Sequence, residues 1–220
     1  MAKKRKPPQP KPQQLLVEGK NDRHVIWTLC AQYQLPETFS VEVPEEGGTE
    51  GVEALLEGLP NRLRNKNLRR LGLVVDADRD VAARWQAVGN RLRSVGYQNI
   101  PSSPPAEGWV DRQAELPQVG VWLMPNNQVP GMLEDFVASL IPREDALLAK
   151  AETVLQELEA TGINRYSIVQ HPKALIHTWL AWQENPGMPM GQAITAQVLS
   201  YAQPGAIASI AWLGRLFDFT

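Results

Sequence analysis

Hydrophobic and polar positions follow two rhythms along the first two thirds of the chain. Short apolar runs that read as strands alternate with segments whose apolar residues recur every three to four positions, the helical period. Leu15-Leu16-Val17 is the first run, and it stops at Glu18-Gly19. Asn21 can cap the following helix, with Asp22 favourable in its first turn. Val25, Ile26, Leu29, Cys30 and Tyr33 form the apolar stripe of that helix. Phe39, Val41 and Val43 alternate as a second strand. Gly47-Gly48-Thr49 opens a helix with Val52, Leu55, Leu56 and Leu59 on one face, which Pro60 ends or kinks. Leu71-Gly72-Leu73-Val74-Val75 is a third strand and runs into Asp76-Ala77-Asp78-Arg79-Asp80. Val81, Trp85, Val88, Leu92 and Val95 make the next helical stripe.

The Pro-rich stretch 97–118 reads mostly as loop. Val119, Val121 and Leu123 mark a fourth strand, and Gly131-Met132-Leu133-Glu134-Asp135-Phe136 enters another helix. From Pro142 onward the pattern is helical, with segments near 143–160, 173–183, 191–202 and 205–217. Strands alternating with helices predict an α/β fold with a parallel four-stranded sheet and right-handed crossovers. Three regions follow: a basic, Pro-rich tail over 1–13 that reads as disordered, an α/β domain over 14–141, and a helical region over 142–220 packed on it.

Composition narrows the class of protein. With 220 residues, 43% hydrophobic and 21% charged, the chain has enough apolar material for a sizeable core. The formal net charge of −2 hides a split: residues 1–12 carry Lys3, Lys4, Arg5, Lys6 and Lys11 and no acid, which leaves −7 on the rest. Such a body repels a polyanion unless metal ions or local basic patches intervene. No apolar run approaches a bilayer span, and the basic start leads into prolines and glutamines, not the apolar stretch of a secretory signal. A cytoplasmic protein without membrane partners is expected. Cys30 is alone, so the chain offers neither a disulfide framework nor a Cys-rich zinc site.

Candidate chemistry gathers where the strands stop, at the carboxyl ends that parallel sheets use for function. Glu18 follows the first strand, Asp76, Asp78 and Asp80 end the third, and Glu134 and Asp135 come soon after the fourth. If the first and third strands are neighbours, Glu18 faces Asp76 and Asp78. In an extended segment these two aspartates point to the same side and could reach one ion. Hard carboxylate oxygens suit Mg²⁺ or Mn²⁺.

The segments LLVEGKND (15–22) and GLVVDADRD (72–80) resemble the two signature motifs of the toprim domain. That domain occurs in bacterial primases, topoisomerases, recombination proteins, OLD-type nucleases and the small ribonuclease that matures 5S ribosomal RNA. The similar span covers roughly residues 14–140. The longer patterns GVWLMPNN…GMLEDF (120–136) and KALIHTWLAWQENPGMPMGQAI (173–194) resemble an uncharacterised family of prokaryotic toprim-related proteins. The resemblance implies a toprim-like, Rossmann-like fold and divalent-metal phosphoryl transfer. It implies that Glu18 is a general acid/base or metal ligand, that Asp76 and Asp78 bind metal, and that Asp22 and Glu134 assist. Neither an ATPase module nor a supporting context for a topoisomerase tyrosine is present.

Several further residues are candidates. Lys20 or Arg79 could counter charge building on a phosphate, and Asp80 could join the metal set. Arg62, Arg64, Lys66, Arg69 and Arg70 form a basic patch before the third strand, a candidate nucleic-acid contact at the opposite end of the sheet. Trp179 and Trp182 share a predicted helical face that suits core packing better than base stacking. The leading expectation is a Mg²⁺- or Mn²⁺-dependent nuclease, or a related phosphotransfer enzyme, acting on DNA or RNA. The alternative is a non-enzymatic metal- or nucleotide-binding module that works with a protein partner or a second copy. A phosphatase with an aspartyl nucleophile is weaker, because it gives Glu18 no role.

Overall fold

The computed structural model describes residues 11–43 and 51–219. Gly47-Gly48-Thr49, and the tail up to residue 10, lie outside the described residues. Strand and helix alternate as β1 (Gln13–Val17), α1 (Lys20–Gln32), β2 (Ser40–Glu42), α2 (Val52–Leu63), β3 (Arg70–Asp76) and α3 (Val81–Arg93). The short β4 (Trp109–Asp111) and the longer β5 (Gln118–Met124) follow. The remainder is helical: α4 (Leu133–Ala138), α5 (Ala146–Thr161), α6 (His171–Ala181), α7 (Met190–Thr195) and α8 (Pro204–Phe217).

The sheet has five strands in the order β2-β1-β3-β5-β4, which corrects the expected four. β2, β1, β3 and β5 are parallel, and β4 pairs antiparallel with β5. The extra strand lies within the stretch read as loop. Three residues carry too little alternation to stand out among prolines, and Trp109 is fixed by tertiary contact, edge-on to Trp85. Two local readings also shift. α1 starts at Lys20 with Gly19 before it, not after Asn21. α2 continues through Pro60 to Leu63 because Leu59 and Leu63 bury on the sheet side and hold its last turn.

Side-chain alternation divides the core in two. Leu16, Leu71, Leu73, Val75, Val119, Val121 and Leu123 face α2 and α3. Leu15, Val17, Val74, Trp122 and Met124 face the other way, against α1 and the helices α4–α8. The C-terminal helices therefore complete one face of the sheet. α8 lies directly on it, with Trp212, Leu213, Leu216 and Phe217 nearly fully buried, each contributing on the order of 1.5–3 kcal/mol. Its close approach requires two glycines. Gly72 and Gly120 are paired across β3 and β5. A Cβ on Gly72 would stand 2.4 Å from Leu15 Cδ1 and 2.8 Å from Leu216 Cδ2.

No helix among the described residues is long and apolar enough to cross a membrane. Trp179 is fully buried, as its helical face predicts. Trp182 is 39% exposed because α6 ends at Ala181 and the chain turns away there.

Candidate acidic site at the carboxyl rim of the sheet

β1 and β3 are adjacent and parallel, so the residues that leave them emerge side by side. Glu18, one residue past β1, accepts the Asp76 backbone N–H on Oε1 at 2.7 Å. Asp76 is the last residue of β3, and its Oδ1 accepts the Leu133 N–H at 2.9 Å. That bond ties β3 to the start of α4 and brings in Glu134, which is only 4% exposed. Asp22 reaches the same place from the first turn of α1 and is also buried.

The loop after β3 is pinned to the loop after β5. Asp78 N–H donates to the Gly131 carbonyl at 2.9 Å, and Gly131 N–H donates back to Asp78 O at 2.8 Å. Gly131 is required in this turn. Its φ is +148°, and a Cβ would come 2.8 Å from Asp135 Oδ2.

Burial dominates the electrostatics. Asp76 is pushed up to about 9, first by desolvation and then by Glu18, Asp22, Glu134 and Asp78. Desolvation raises Glu18 to about 7, although the bond from Asp76 N–H opposes it; Asp22 adds to the rise. Asp22 rises to about 6, through burial and then the charge of Glu134, with Lys173 opposing. These acids stand in one low-dielectric space with too little positive charge to balance them.

Two cations that the sequence did not single out border the cluster. Arg84, on α3, donates from Nε to the Asp76 carbonyl at 2.9 Å and forms an ion pair with Asp78. Lys173, on α6, lies 3.6 Å from Glu134 Oε1. No local signal marks either one: Arg84 sits beside the buried stripe of an ordinary amphipathic helix, with its side chain only 15% exposed, and Lys173 belongs to a distant element.

The expected site residues separate into groups. Glu18, Asp22, Asp76 and Glu134 gather inside the rim. Asp78 departs from the extended geometry that would align it with Asp76, because its φ is +54°. It is exposed and turned to Arg84, at the edge of the cluster. Asp80 caps α3, accepting from the Ala83 N–H at 2.9 Å, a role worth about 1 kcal/mol. Asp135 accepts its own turn's Met132 N–H at 2.8 Å. Lys20 is exposed on the first turn of α1. Arg79 is exposed and, with Asp78, Arg84 and the apolar Ala83, Ala87 and Val169, lines a hollow of about 480 Å³ beside the rim. Arg62, Arg64 and Lys66 lie at the opposite end of the sheet, Arg62 donating to Gln14 Oε1 at 3.2 Å.

The rim's donor set is oxygen only, the chemistry that Mg²⁺ and Mn²⁺ select. Among the described residues no three Asp, Glu, His or Cys side chains are already arranged as a finished metal site. The donors fit a divalent cation in type and in charge, and their side chains would have to close in around it. Cys30 is a partly buried thiol, pushed up to about 12 by desolvation, and takes no part.

No curated protein and no solved structure matched the chain. A family model described as a protein of unknown function, DUF3226, matches residues 12–218, from the start of the sheet to the end of the last helix. The match spans nearly the whole chain, the acidic rim and the C-terminal helices together, so the protein belongs to the DUF3226 family.

Proposed function

We propose that the protein is a divalent-metal-dependent nuclease, or a related phosphotransfer enzyme, acting on nucleic acid at the carboxyl rim of its sheet. One observation carries the reading: Glu18 just after β1, Asp22 on α1 and Glu134 on α4 are held against Asp76 at the end of β3 in a largely buried space, where all three raise its charging cost. A fold gains no stability from such crowding, and a cation is what relieves it. The resemblance of residues 15–22 and 72–80 to the toprim motifs supports the same chemistry.

Asp76, Asp22 and Glu134 would hold the ion, with Glu18 and Asp78 at its border. A divalent cation supplies Lewis-acid polarisation of a phosphoryl oxygen when bound. The chain's own groups do the rest. Glu18, at about 7, can hold or release a proton near neutral pH, as a general acid or base requires. Arg84 fixes the Asp76 backbone and presents a cation to the hollow beside the rim, where a phosphate's negative charge can be countered.

Plasmid, single-stranded DNA and structured RNA incubated with Mg²⁺ or Mn²⁺ test the proposal. Cleavage by the wild type that disappears in Asp76→Ala/Asp78→Ala supports it, and equal cleavage by both proteins rejects it. A second reading, a metal- or nucleotide-binding module acting with a protein partner, is favoured by the pairing of Asp78 with Arg84 and of Glu134 with Lys173. Saturable Mn²⁺ or nucleotide binding without turnover of any substrate would select it.

A further inference from the structure

The opposite end of the sheet carries the reverse charge. Two hollows of about 560 and 510 Å³ lie where the parallel strands begin. They share Asn65, Leu68 and Arg69 on their walls and so form one trough. Its cations come from separate parts of the chain: Lys11 before β1, Lys66 and Arg69 between α2 and β3, and Arg112 between β4 and β5. Among the described residues that line it, Glu115 is the only acid.

The cations differ in what they already bind. Arg70 is paired with Asp218. Lys11 Nζ donates to the carbonyls of Glu37 and Phe39, at 3.0 and 3.2 Å. The side chains of Lys66, Arg69 and Arg112 make no hydrogen bond or ion pair among the described residues, and all three are exposed. Outside residues 1–12 the chain carries a formal excess of seven acids, yet the fold has collected cations from distant segments into one concave surface, three of them without a partner among the described residues. Like charges brought together repel unless an anion joins them. Gln13, Asn65 and Gln118 line the same trough, residue types found in phosphate contacts, although each amide already has a partner within the chain. Residues 1–10, with Lys3, Lys4, Arg5 and Lys6, join the described chain at Lys11 on its wall.

We infer that this basal trough binds the phosphate backbone of nucleic acid. The cations are spread along two joined hollows and do not converge on one point. A chain of phosphates satisfies that arrangement and a single phosphate does not. The seven residues of β3 separate trough and rim by roughly 20 Å, so this site is distinct from the acidic one. It does not depend on the rim being a catalytic centre.

The test is fluorescence anisotropy of the full chain with a short fluorescein-labelled single-stranded oligonucleotide, in EDTA, over a series of salt concentrations. EDTA keeps divalent ions out of the rim, so the assay reads backbone binding alone. Arg69→Ala/Arg112→Ala removes two phosphate contacts. It should weaken binding about tenfold and make the slope of log K against log salt shallower by about 1.4. Arg69→Lys/Arg112→Lys keeps the charge and should keep the slope. An Ala variant with unchanged affinity and slope overturns the inference. So does tripolyphosphate that displaces the oligonucleotide as well as unlabelled oligonucleotide does at equal phosphate concentration, which would mark a small-anion site. Asp76→Ala/Asp78→Ala should bind with undiminished affinity in EDTA, which separates failure at the trough from failure at the rim.

Discussion

Replacing Asp76 with asparagine should stabilise the metal-free protein. The substitution keeps an oxygen for the Leu133 N–H and removes a carboxyl that the fold will not let ionise. In the unfolded chain Asp76 titrates at its ordinary value of 3.8, and in the folded chain at about 9. Between those values the native state holds a proton that the unfolded state has lost, so stability falls as pH rises. Each pH unit in that window costs about 1.4 kcal/mol, which accumulates to a ceiling of about 4 kcal/mol at neutral pH. Allowing for relaxation of the rim and entry of water, Asp76→Asn should gain about 2–4 kcal/mol there. Glu18 at about 7 and Asp22 at about 6 titrate in both proteins, so their own transitions largely cancel from the comparison. The remaining difference in slope between the two proteins then belongs to Asp76. Urea denaturation in EDTA between about pH 7 and about pH 8.5 should show the wild type losing stability relative to the variant. Adding Mg²⁺ or Mn²⁺ should restore the wild type by about 2.7 kcal/mol at a hundredfold excess over Kd, and stabilise the variant less. A variant less stable than the wild type at neutral pH, or a difference between them that does not change with pH, refutes the reasoning.

Two further predictions concern the scaffold. Gly72→Ala places a methyl against Leu15 and Leu216 and should cost about 1–3 kcal/mol through overpacking under α8; a thermal melt no lower than that of the wild type would contradict it. His171, at the start of α6, bonds Glu159 Oε1 through Nδ1 at 2.7 Å and Glu152 Oε2 through Nε2 at 3.2 Å, clasping α6 to α5. Burial opposes its charge, but the bonds to Glu159 and Glu152 outweigh burial and raise it above 6.5. The clasp therefore contributes fully below the unfolded value and is lost as pH rises through the folded one. An NMR titration of the His171 ring should give a midpoint above 6.5; a midpoint at or below that value removes the clasp.

How much of this was legible in the sequence follows from which interactions are local. β1, β3 and β5 are buried on both faces, so their near-continuous apolar runs showed plainly, and so did the acids that end them. β4 did not, because an edge strand of three residues is fixed by Trp85 and β5, not by its own pattern. The rim was legible to the same extent. Glu18 and Asp76 were expected to face each other because adjacent parallel strands deliver their ends together. Asp78 was expected to join them on the rule of alternation, which fails once its backbone turns left-handed to pair with Gly131. Asp80 looked the same as its neighbours in sequence, yet it caps a helix. Arg84 and Lys173 belong to the site through tertiary placement alone.

The parallel sheet also explains why the two charge clusters lie apart. The four parallel strands all enter at one edge and leave at the other, and the antiparallel β4 ends at the edge where they enter. Residues that precede strands, among them Lys11, Arg69 and Arg112, are collected at one end. Residues that follow strands, among them Glu18 and Glu134, are collected with Asp76 at the other. A chain that places bases before its strands and acids after them becomes polar across its sheet, whatever its total charge. The formal net charge of −2 describes neither end. One divalent ion at the rim carries enough charge to cancel that total. The repulsion that a polyanion meets on approach is thus set by metal occupancy at the acidic end and by the trough at the basic one. Cation binding at the rim should therefore steepen the approach of nucleic acid to the whole molecule without altering any contact in the trough.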